Sequence, residues 1–241
     1  MKNIKNSRDS KKLKLSIIIP VYNENGNILK TLKEIKKNIL EKHEIIIVYD
    51  FDEDSTLPVL NNYLKTNKNL FLVKNNVARG PSGAIRTGFK RAVAPYVLVT
   101  MADLCDDVSQ VNELLRLMSN GADIVCPSRY MRGGRQQLKA GVKVWAPRSA
   151  GYLLKILAGI PTYDPTNSFK LYSKKLLNRL NLKSTISFSV TLEIVVKAHA
   201  LGYKIVEIPT VWRDRQRGKT NFKLGRSLVA YFPWFIYALL H

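Results

Sequence analysis

Two short acidic segments carry most of the residues that could do chemistry. Residues 50–54 contain four acids and residues 103–107 contain three, although the chain has only 18 acids against 39 lysines and arginines. Clustered carboxylates repel one another unless a cation or the hydrogen-bond donors of a ligand compensate their charge, and Mg²⁺ and Mn²⁺ prefer such ligands. The segments therefore indicate a cation or ligand site, with solvated loops or helix caps as the alternative for each segment alone.

A basic run near the end of the chain could bind phosphate. Its cations are Arg215, Arg217, Lys219 and Lys223, and arginine binds phosphate through paired hydrogen bonds. The formal net charge of +21 also favours anionic partners, namely nucleic acid, an acidic membrane face or phosphorylated substrates. A solvated hairpin is the alternative, but the position of the run before an apolar tail favours phosphate binding.

Several other kinds of site find little support. Cys105 and Cys126 cannot form a disulfide framework, and with three histidines they give no zinc spacing, so an intracellular, reducing compartment is expected. Residues 218–220 resemble the end of a phosphate-binding P-loop, but Arg213 stands where its first glycine belongs. No recognised nucleic-acid-binding module is present, so nucleic acid is not among the expected partners.

The elements that must position these residues follow from the apolar pattern of the first half. It predicts five strands and four helices between them; the strands are at 15–21, 44–49, 70–73, 96–101 and 122–127, and the helices at 27–40, 56–64, 83–94 and 108–118. Strands this apolar are typical of a parallel sheet that is covered on both faces. Ligands bind such sheets at the carboxyl ends of the strands, where both acidic segments lie.

The second half is less regular, with helices predicted at 142–159 and 192–201 and a strand at 204–212. We find no internal repeat or low-complexity linker, so we expect one domain. Its predicted limits are a basic arm at 1–14, the main domain at 15–225 and a C-terminal helix at 226–241.

The C-terminal tail is an apolar segment of thirteen residues, from Leu228 to Leu240. A bilayer-spanning helix needs about 20 residues, so we expect a helix that lies in the membrane interface, with basic residues before it attracted by anionic lipid. The residues expected to face the lipid are Leu228, Phe232, Phe235, Ile236 and Leu239. A terminal helix packed on the core is the alternative.

Ordered motifs along the chain carry a resemblance to a known family. They are SIIIPVYNENGNI (16–28), EIIIVYDFDEDST (44–56), RGPSGAIRTGFKRA (79–92), VLVTMADLCDD (97–107), SRYMRGG (128–134), YDPTNSFKLY (163–172) and GYKIVEIPTVWRDRQRGKTNFKL (202–224). Over about residues 15–225 the chain resembles the inverting family-2 glycosyltransferases, most of all their dolichol-phosphate mannosyltransferase branch. The resemblance implies an α/β, Rossmann-like GT-A fold: a single domain with a mostly parallel central sheet, followed by a C-terminal amphipathic helix.

The resemblance also implies roles for individual residues. Those that would line the nucleotide are Pro20, Tyr22, Glu24, Asp50 and Asp103. Asp103 matches the second Asp of the family's metal motif, and Asp107 is the expected second metal ligand, with Asp106 as the alternative. The residues implied for catalysis are Asp103, Arg129, Asp164, Glu193 and Arg215, and those for phosphate or acceptor binding are Arg129, Lys170, Arg215, Arg217 and Lys223.

The chain departs from the family pattern at three positions. Met101 replaces the first Asp of the metal motif, so that the motif reads Met-Ala-Asp. Tyr49 replaces the first member of the usual Asp pair after the second strand. Cys105 stands where the closer mannosyltransferases have a Gln that helps to hold the metal, and a thiol is a poor ligand of Mg²⁺.

By this resemblance the protein moves a sugar from a nucleotide-sugar donor, GDP-mannose or UDP-hexose, to a polyprenyl or dolichyl phosphate. The implied cofactor is Mg²⁺ or Mn²⁺. The implied location is the cytoplasmic face of a membrane, with an anionic membrane surface and a transmembrane subunit as further partners.

Three alternative functions stay open at this point. A family-2 enzyme acting on a glycan hydroxyl would need a general base, for which Asp164 and Glu193 are the candidates. The net charge is also compatible with a basic nucleic-acid-binding protein, and Met101 is compatible with an inactive scaffold subunit.

Overall fold

The computed structural model describes residues 12–137, 145–215 and 224–241. The strands are β1 (Leu15–Pro20), β2 (His43–Tyr49), β3 (Leu70–Lys74), β4 (Tyr96–Val99), β5 (Ile124–Ser128), β6 (Arg135–Gln137), β7 (Lys170–Ser173), β8 (Ile205–Pro209) and β9 (Val211–Arg213). The helices are α1 (Ile28–Asn38), α2 (Thr56–Thr66), α3 (Pro81–Arg91), α4 (Val111–Ser119), α5 (Trp145–Ala158), α6 (Lys174–Arg179), α7 (Ser189–Ala200) and α8 (Leu224–Leu240), with a 3₁₀ turn at Val108–Gln110 before α4.

The central sheet has seven strands in the order β3-β2-β1-β4-β7-β5-β8. Its strand pairs are parallel except at β7, which runs antiparallel to β4 and β5. Strands β6 and β9 form a separate parallel pair. The predicted α/β domain with a mostly parallel sheet is therefore confirmed.

The sheet is buried on both faces because its inner strands are mostly apolar. In β1, the side chain of Ile18 joins one core cluster with Phe89 of α3 and Ile194 of α7. Its neighbours Ile17 and Ile19 point to the other face and join the cluster that contains α1 and α4. Helices thus cover both sides, and the strand ends are the part of the sheet open to a ligand.

The structure differs from the sequence-based elements mainly in the second half. Strand β7 was not predicted, because its four residues are too few to show a period and one of them is a buried lysine. The strand predicted at 204–212 is split at Thr210, whose backbone N–H donates to Ser128 and whose carbonyl accepts from Arg135. That break turns β9 away from the sheet and towards β6.

Helix α8 has one face packed against the protein and one face exposed. It contacts α5 and α7, and Ser227 and Ala238 are buried, with Trp234 and Phe235 partly buried against the core. The exposed large residues are Leu228, Val229, Phe232, Ile236, Leu239 and Leu240. The predicted lipid-facing set is therefore exposed except for Phe235. Within the described residues, no helix is both long and apolar enough to cross a membrane.

Candidate active site

The loop after β1 is fixed by hydrogen bonds to the loop after β2. The backbone N–H of Asn23 donates to both carboxylate oxygens of Asp54, each at 3.1 Å, and Ser55 N–H donates back to Asn23 Oδ1 at 3.0 Å. Asn23 has a φ of 54°, a conformation that asparagine adopts more readily than most residues. The next residue, Glu24, donates its N–H to Thr56 Oγ1 at 2.9 Å. These contacts set the direction of the Glu24 side chain.

The Glu24 carboxylate is buried and uses both of its oxygens. Oε2 accepts from Asn27 Nδ2 at 2.8 Å, and Oε1 accepts from Arg215 Nη2 at 2.8 Å. Arg215 follows β9, so this ion pair joins the first loop of the sheet to a segment 191 residues later in the chain.

Asp103 is presented by a strained turn after β4. The following residue, Leu104, has a φ of 63°, which is costly for a side chain with a Cβ and is common at functional sites. Cys105 N–H donates to Asp103 Oδ1 at 3.1 Å, and Arg215 Nη2 donates to Asp103 Oδ2 at 3.2 Å. One nitrogen of Arg215 therefore contacts the carboxylates of both Glu24 and Asp103.

Asp106, the sequence-based alternative to Asp107 for the metal, lies in this cluster. Its Oδ2 accepts from Thr100 Oγ1 and from Met101 N–H, both at 3.0 Å. Burial and, to a smaller extent, the nearby charge of Asp103 raise the pKa of Asp106 to about 7. The sequence places Asp106 in a cluster of three acids, which indicates a site, but it does not reveal which of the three is buried.

Asp107, the expected second metal ligand, has another contact in the structure. Its Oδ1 accepts from Ser109 N–H at 3.3 Å and from Ser109 Oγ at 2.5 Å. Asp107 thereby caps the 3₁₀ turn before α4.

The residues around Asp103 fit a divalent cation that shares its ligands with a diphosphate. The carboxylate of Asp103 already attracts positive charge, since the Arg215 guanidinium lies 3.2 Å from its Oδ2. Met101 and Cys105 offer only sulfur, which is a poor ligand of Mg²⁺ or Mn²⁺, and burial raises the pKa of the Cys105 thiol. In the described parts of the chain, no group of three or more His, Cys, Asp or Glu could hold a metal ion alone. The remaining ligands would have to come from the diphosphate and water.

The residues predicted to line the nucleotide lie along the same edge of the sheet. Asp50 Oδ1 accepts from Asn75 Nδ2 at 2.7 Å, and Oδ2 accepts from Gly80 N–H at 2.8 Å. Gly80 has a φ of 102°, which favours glycine. Tyr22 is exposed and packs edge-to-face on Phe51, with ring centroids 5.5 Å apart.

Pro20 is the last residue of β1 and is buried. The structure thus gathers Pro20, Tyr22, Glu24, Asp50 and Asp103 at the strand ends. Asn75, Gly80 and Phe51 are additional neighbours that the sequence analysis did not name.

A basic cavity of about 660 Å³ lies beside α5. Its lining contains four arginines and three tyrosines, together with small and polar residues: Arg129, Arg132, Arg135, Arg148, Tyr130, Tyr152, Tyr163, Met131, Gly134 and Gln136. Of these, only Arg129 was a predicted site residue. Cationic and aromatic side chains in one concave site are suited to an anionic ligand.

Arg129 is held in this cavity by Asp164. Its Nε and Nη2 donate to the two oxygens of Asp164 at 2.7 and 2.8 Å, and its backbone N–H donates to the same carboxylate at 3.0 Å. Burial alone would raise the pKa of Asp164, but Arg129 outweighs it and holds that pKa below its ordinary value. Asp164 is fully buried, so the contacts make it a positioning group for Arg129.

Lys170 and Glu193 are also fully buried and have structural contacts. Lys170 Nζ donates to the carbonyls of Asp164, at 3.1 Å, and Asn167, so no exposed surface remains through which it could contact a phosphate. Glu193 accepts from Lys183 and Ser184 N–H at 2.7 and 2.8 Å. None of the hydrogen-bond partners of Glu193 is a predicted site residue. The structure therefore does not bring Glu193 to the other residues that were predicted to be catalytic.

Arg217 and Lys223, predicted to bind phosphate, lie outside the described residues, as does Lys219. Arg215 is therefore the described member of that basic run.

Comparison with known proteins identifies the family. A family model described as glycosyl transferase family 2 matches residues 16–180, more than half of the chain. The dolichol-phosphate mannosyltransferase of Pyrococcus furiosus is 28% identical over 225 residues, covering 91% of this chain and 62% of that protein. The dolichyl-phosphate β-glucosyltransferase of Saccharomyces cerevisiae is 26% identical over 255 residues, covering 94% of this chain and 76% of that protein. The chain thus spans less than two thirds of the length of the Pyrococcus relative.

A solved structure supports the same fold. The glucosyl-3-phosphoglycerate synthase of Mycobacterium tuberculosis, in complex with Mn²⁺, UDP and glucosyl-3-phosphoglycerate, has a TM-score of 0.72 and covers 94% of this chain and 80% of its own. The two sequences are 16% identical, so this likeness concerns the fold. With the mostly parallel sheet, the loops gathered at its carboxyl edge and the match to the family model, we conclude that the chain belongs to glycosyl transferase family 2 and has the GT-A fold.

Proposed function

We propose that this protein transfers a sugar, with inversion, from a nucleotide-sugar donor to a polyprenyl phosphate at the cytoplasmic face of a membrane. The observation that carries the proposal is the basic cavity beside α5, which adjoins two helices with exposed apolar side chains. Its lining suits a phosphate, and the helices suit the hydrocarbon chain attached to it.

The cavity offers several cations to one anionic group. Arg148 and Tyr152 belong to α5, whereas Arg129 and Arg132 follow β5. The guanidinium of Arg148 lies 5.9 Å from the centre of the Tyr152 ring, and the ammonium of Lys155 lies 4.4 Å from that of Tyr163. A phosphate monoester carries close to two negative charges at pH 7 and would be compensated by the arginines that line the cavity.

Helix α5, which lines the cavity, and helix α8, which packs against α5, both provide apolar surface. They contact each other, and α5 exposes Leu153, Ile156 and Leu157. Helix α8 exposes a further row that includes Phe232 and Val229. Burying each such side chain in lipid is worth about 1.5–3 kcal/mol, so the two helices together would hold the protein at a bilayer surface.

The acidic residues that follow β1, β2 and β4 support a donor site for the nucleotide sugar. Tyr22 and Asp50 would face the nucleoside, and Asp103 would face the diphosphate with a divalent cation, Mg²⁺ or Mn²⁺. When bound, this cation supplies positive charge to the departing diphosphate. Arg215 lies between Glu24 and Asp103, where it would add to that stabilisation.

In this proposal the two sites act on one bond, because both follow strands, β4 and β5, that end at the same edge of the sheet. Asp106 of the donor cluster and Arg129 of the cavity interact electrostatically. In the proposed step, an acceptor phosphate oxygen attacks the anomeric carbon and forms a C–O bond. The bond from that carbon to the diphosphate breaks, and the nucleoside diphosphate leaves with the electron pair.

This reaction needs no general base, because the acceptor phosphate is already ionised near pH 7. The contacts of Asp164 agree with that, since a carboxylate that accepts three hydrogen bonds and has a lowered pKa is a poor base. The relatives named as dolichol-phosphate and dolichyl-phosphate transferases further support a lipid-phosphate acceptor.

A panel of acceptors tests the proposal. The full chain is incubated with labelled GDP-mannose or UDP-glucose and with polyprenyl phosphate, the same polyprenol without phosphate, or a soluble glycan, in Mn²⁺, Mg²⁺ or EDTA. We expect label in the lipid only with polyprenyl phosphate and a divalent ion. Label transferred to the glycan instead would favour the hydroxyl acceptor and contradict the proposal.

Asp103→Ala tests the donor side in the same assay. Because the change removes a ligand and no core packing, we expect metal-dependent transfer to be lost while thermal stability is kept. Asp52→Ala is the matched control, because Asp52 is an exposed acid that pairs with Lys74. Full activity of Asp103→Ala with metal present would show that the metal assignment is wrong.

A further inference from the structure

Arg215 occupies the place where a cation would contact Asp103. A single nitrogen, Nη2, lies 2.8 Å from Glu24 Oε1 and 3.2 Å from Asp103 Oδ2. The two carboxylates come from the loops after β1 and β4, so the arginine joins the two strand ends on which the proposed donor site is built.

These contacts are shielded from solvent, which strengthens them. The exposed fractions of the side chains are 23% for Arg215, 9% for Glu24 and 14% for Asp103. Burial by itself would lower the pKa of Arg215, but Glu24 and Asp103 outweigh it and raise that pKa. The guanidinium is thus charged and compensates two acids that would otherwise repel each other.

A divalent cation bound to Asp103 Oδ2 would lie beside this guanidinium. They would compete for one oxygen, and their like charges would repel each other at short distance. We propose that Arg215 is the counter-cation of the donor site in the unliganded protein and keeps Asp103 from metal until a nucleoside diphosphate binds. The diphosphate then draws the guanidinium to itself and releases Asp103. This inference rests on the proposed donor site.

The backbone just before Arg215 is held by contacts that do not involve the arginine side chain. Arg213 N–H donates to Cys105 O, and Asp214 N–H donates to Gln137 O, each at 3.0 Å. The arginine side chain can therefore change partner while the β6–β9 pair stays in place.

Metal binding without nucleotide tests the first half of the inference. Mn²⁺ is titrated into the wild-type chain and Arg215→Gln, followed by isothermal titration calorimetry and by the electron paramagnetic resonance signal of free Mn²⁺. Couplings of this kind are typically worth about 5- to 150-fold in affinity, so we expect Arg215→Gln to bind Mn²⁺ at least about fivefold more tightly. Adding Asp103→Asn to this variant should remove the gain.

Arg213→Gln is the matched control, because it removes the same charge two residues away without removing the contacts to Glu24 and Asp103. An equal gain in Mn²⁺ affinity in this control would show that net charge alone causes the effect, and it would overturn the inference. Unchanged or weaker Mn²⁺ binding by Arg215→Gln, or no Mn²⁺ binding by any of the proteins, would also overturn it.

Nucleotide binding in EDTA tests the second half. We expect Arg215→Gln to weaken binding of GDP or UDP by about tenfold or more, as loss of a charged hydrogen bond does, and to leave binding of the nucleoside unchanged. Unchanged diphosphate affinity would overturn the exchange. Wild-type transfer to polyprenyl phosphate, measured separately, would still support the proposed function in that case.

Discussion

At the scale of single residues, the site contains two different arrangements of charge. Arg129 and Asp164 form a closed pair, with two guanidinium contacts and a buried carboxylate. Arg215 is shared between Glu24 and Asp103, which come from separate loops. The first arrangement suits a fixed scaffold for the acceptor cavity, and the second suits a group that changes partners.

The Arg129–Asp164 pair gives a stability prediction. Asp164→Asn leaves the buried guanidinium without its counter-charge, and breaking a buried pair in this way typically costs about 3–5 kcal/mol. We expect that loss in the free energy of unfolding, measured by denaturant titration at pH 7. Arg116→Gln, which breaks the exposed pair with Glu113, should leave the free energy almost unchanged. Equal effects of the two changes would contradict the structural role of Asp164.

The same pair predicts a pH dependence. The pKa of Asp164 is lower in the folded protein than in the unfolded chain. Its charge therefore makes its full contribution to the free energy of unfolding above the unfolded pKa of about 4. It is lost as the pH falls through the lowered folded value. The difference in unfolding free energy between wild type and Asp164→Asn should therefore narrow below about pH 4. A difference that stays constant down to pH 2.5 would contradict this assignment.

Several residue roles could not be predicted from the sequence because burial decides them. Glu24, Asp50 and Asp103 follow apolar strands, and that pattern was enough to bring them to one edge. Lys170 and Glu193 look like chemical groups in the sequence, but tertiary packing encloses both and gives them backbone partners. The contact of Arg215 with Glu24 spans 191 positions, and no local pattern encodes it.

At the scale of secondary structure, α5 and α8 connect the cavity to the proposed membrane surface. Gly151 of α5 faces the backbone of Tyr163, and an added Cβ would lie 2.0 Å from the Tyr163 carbonyl oxygen. The close approach of helix and loop therefore depends on a glycine at this position.

The alternating strands and helices of the first half were predictable from their period, whereas short β7 and the break at Thr210 were not.

Gly151→Ala tests this packing. Because the clash is with backbone, α5 has to shift, and overpacking of this kind typically costs about 1–3 kcal/mol. We expect that loss of stability together with weaker use of the acceptor. Gly225→Ala is the control, since nothing lies within 4 Å of the added Cβ and alanine favours a helix more than glycine does. A stable Gly151→Ala variant with unchanged acceptor kinetics would contradict the packing described.

The two faces of α8 predict separable effects. Val229→Ser with Phe232→Ser removes exposed apolar groups, so we expect loss of flotation with anionic vesicles and little change in melting temperature. Trp234→Ala removes a side chain that packs against the core, so we expect a lower melting temperature. Vesicle binding that survives the double serine variant would contradict the interfacial role of the helix.

At the scale of the whole molecule, opposite charges are separated across the strand ends. The donor side holds Glu24, Asp103 and Asp106, whereas the cavity beside α5 holds four arginines. The net charge of +21 indicated anionic partners, but only the fold shows that the cations gather in a cavity of about 660 Å³. The α/β class and the family could be predicted from the ordered motifs, while this cavity could not, because its arginines are spread over the loop after β5, strand β6 and helix α5.

Binding of the acceptor phosphate in the cavity beside α5 is the central claim, and steady-state kinetics of Arg148→Gln test it directly. A lost hydrogen bond to a charged group costs about 1.5–3 kcal/mol, so we predict a KM for polyprenyl phosphate that rises about ten- to a hundredfold. The KM for the nucleotide sugar should stay unchanged, and the surface control Arg179→Gln should match the wild type in both. Unchanged acceptor kinetics in Arg148→Gln, or an equal rise in the donor KM, would contradict the account.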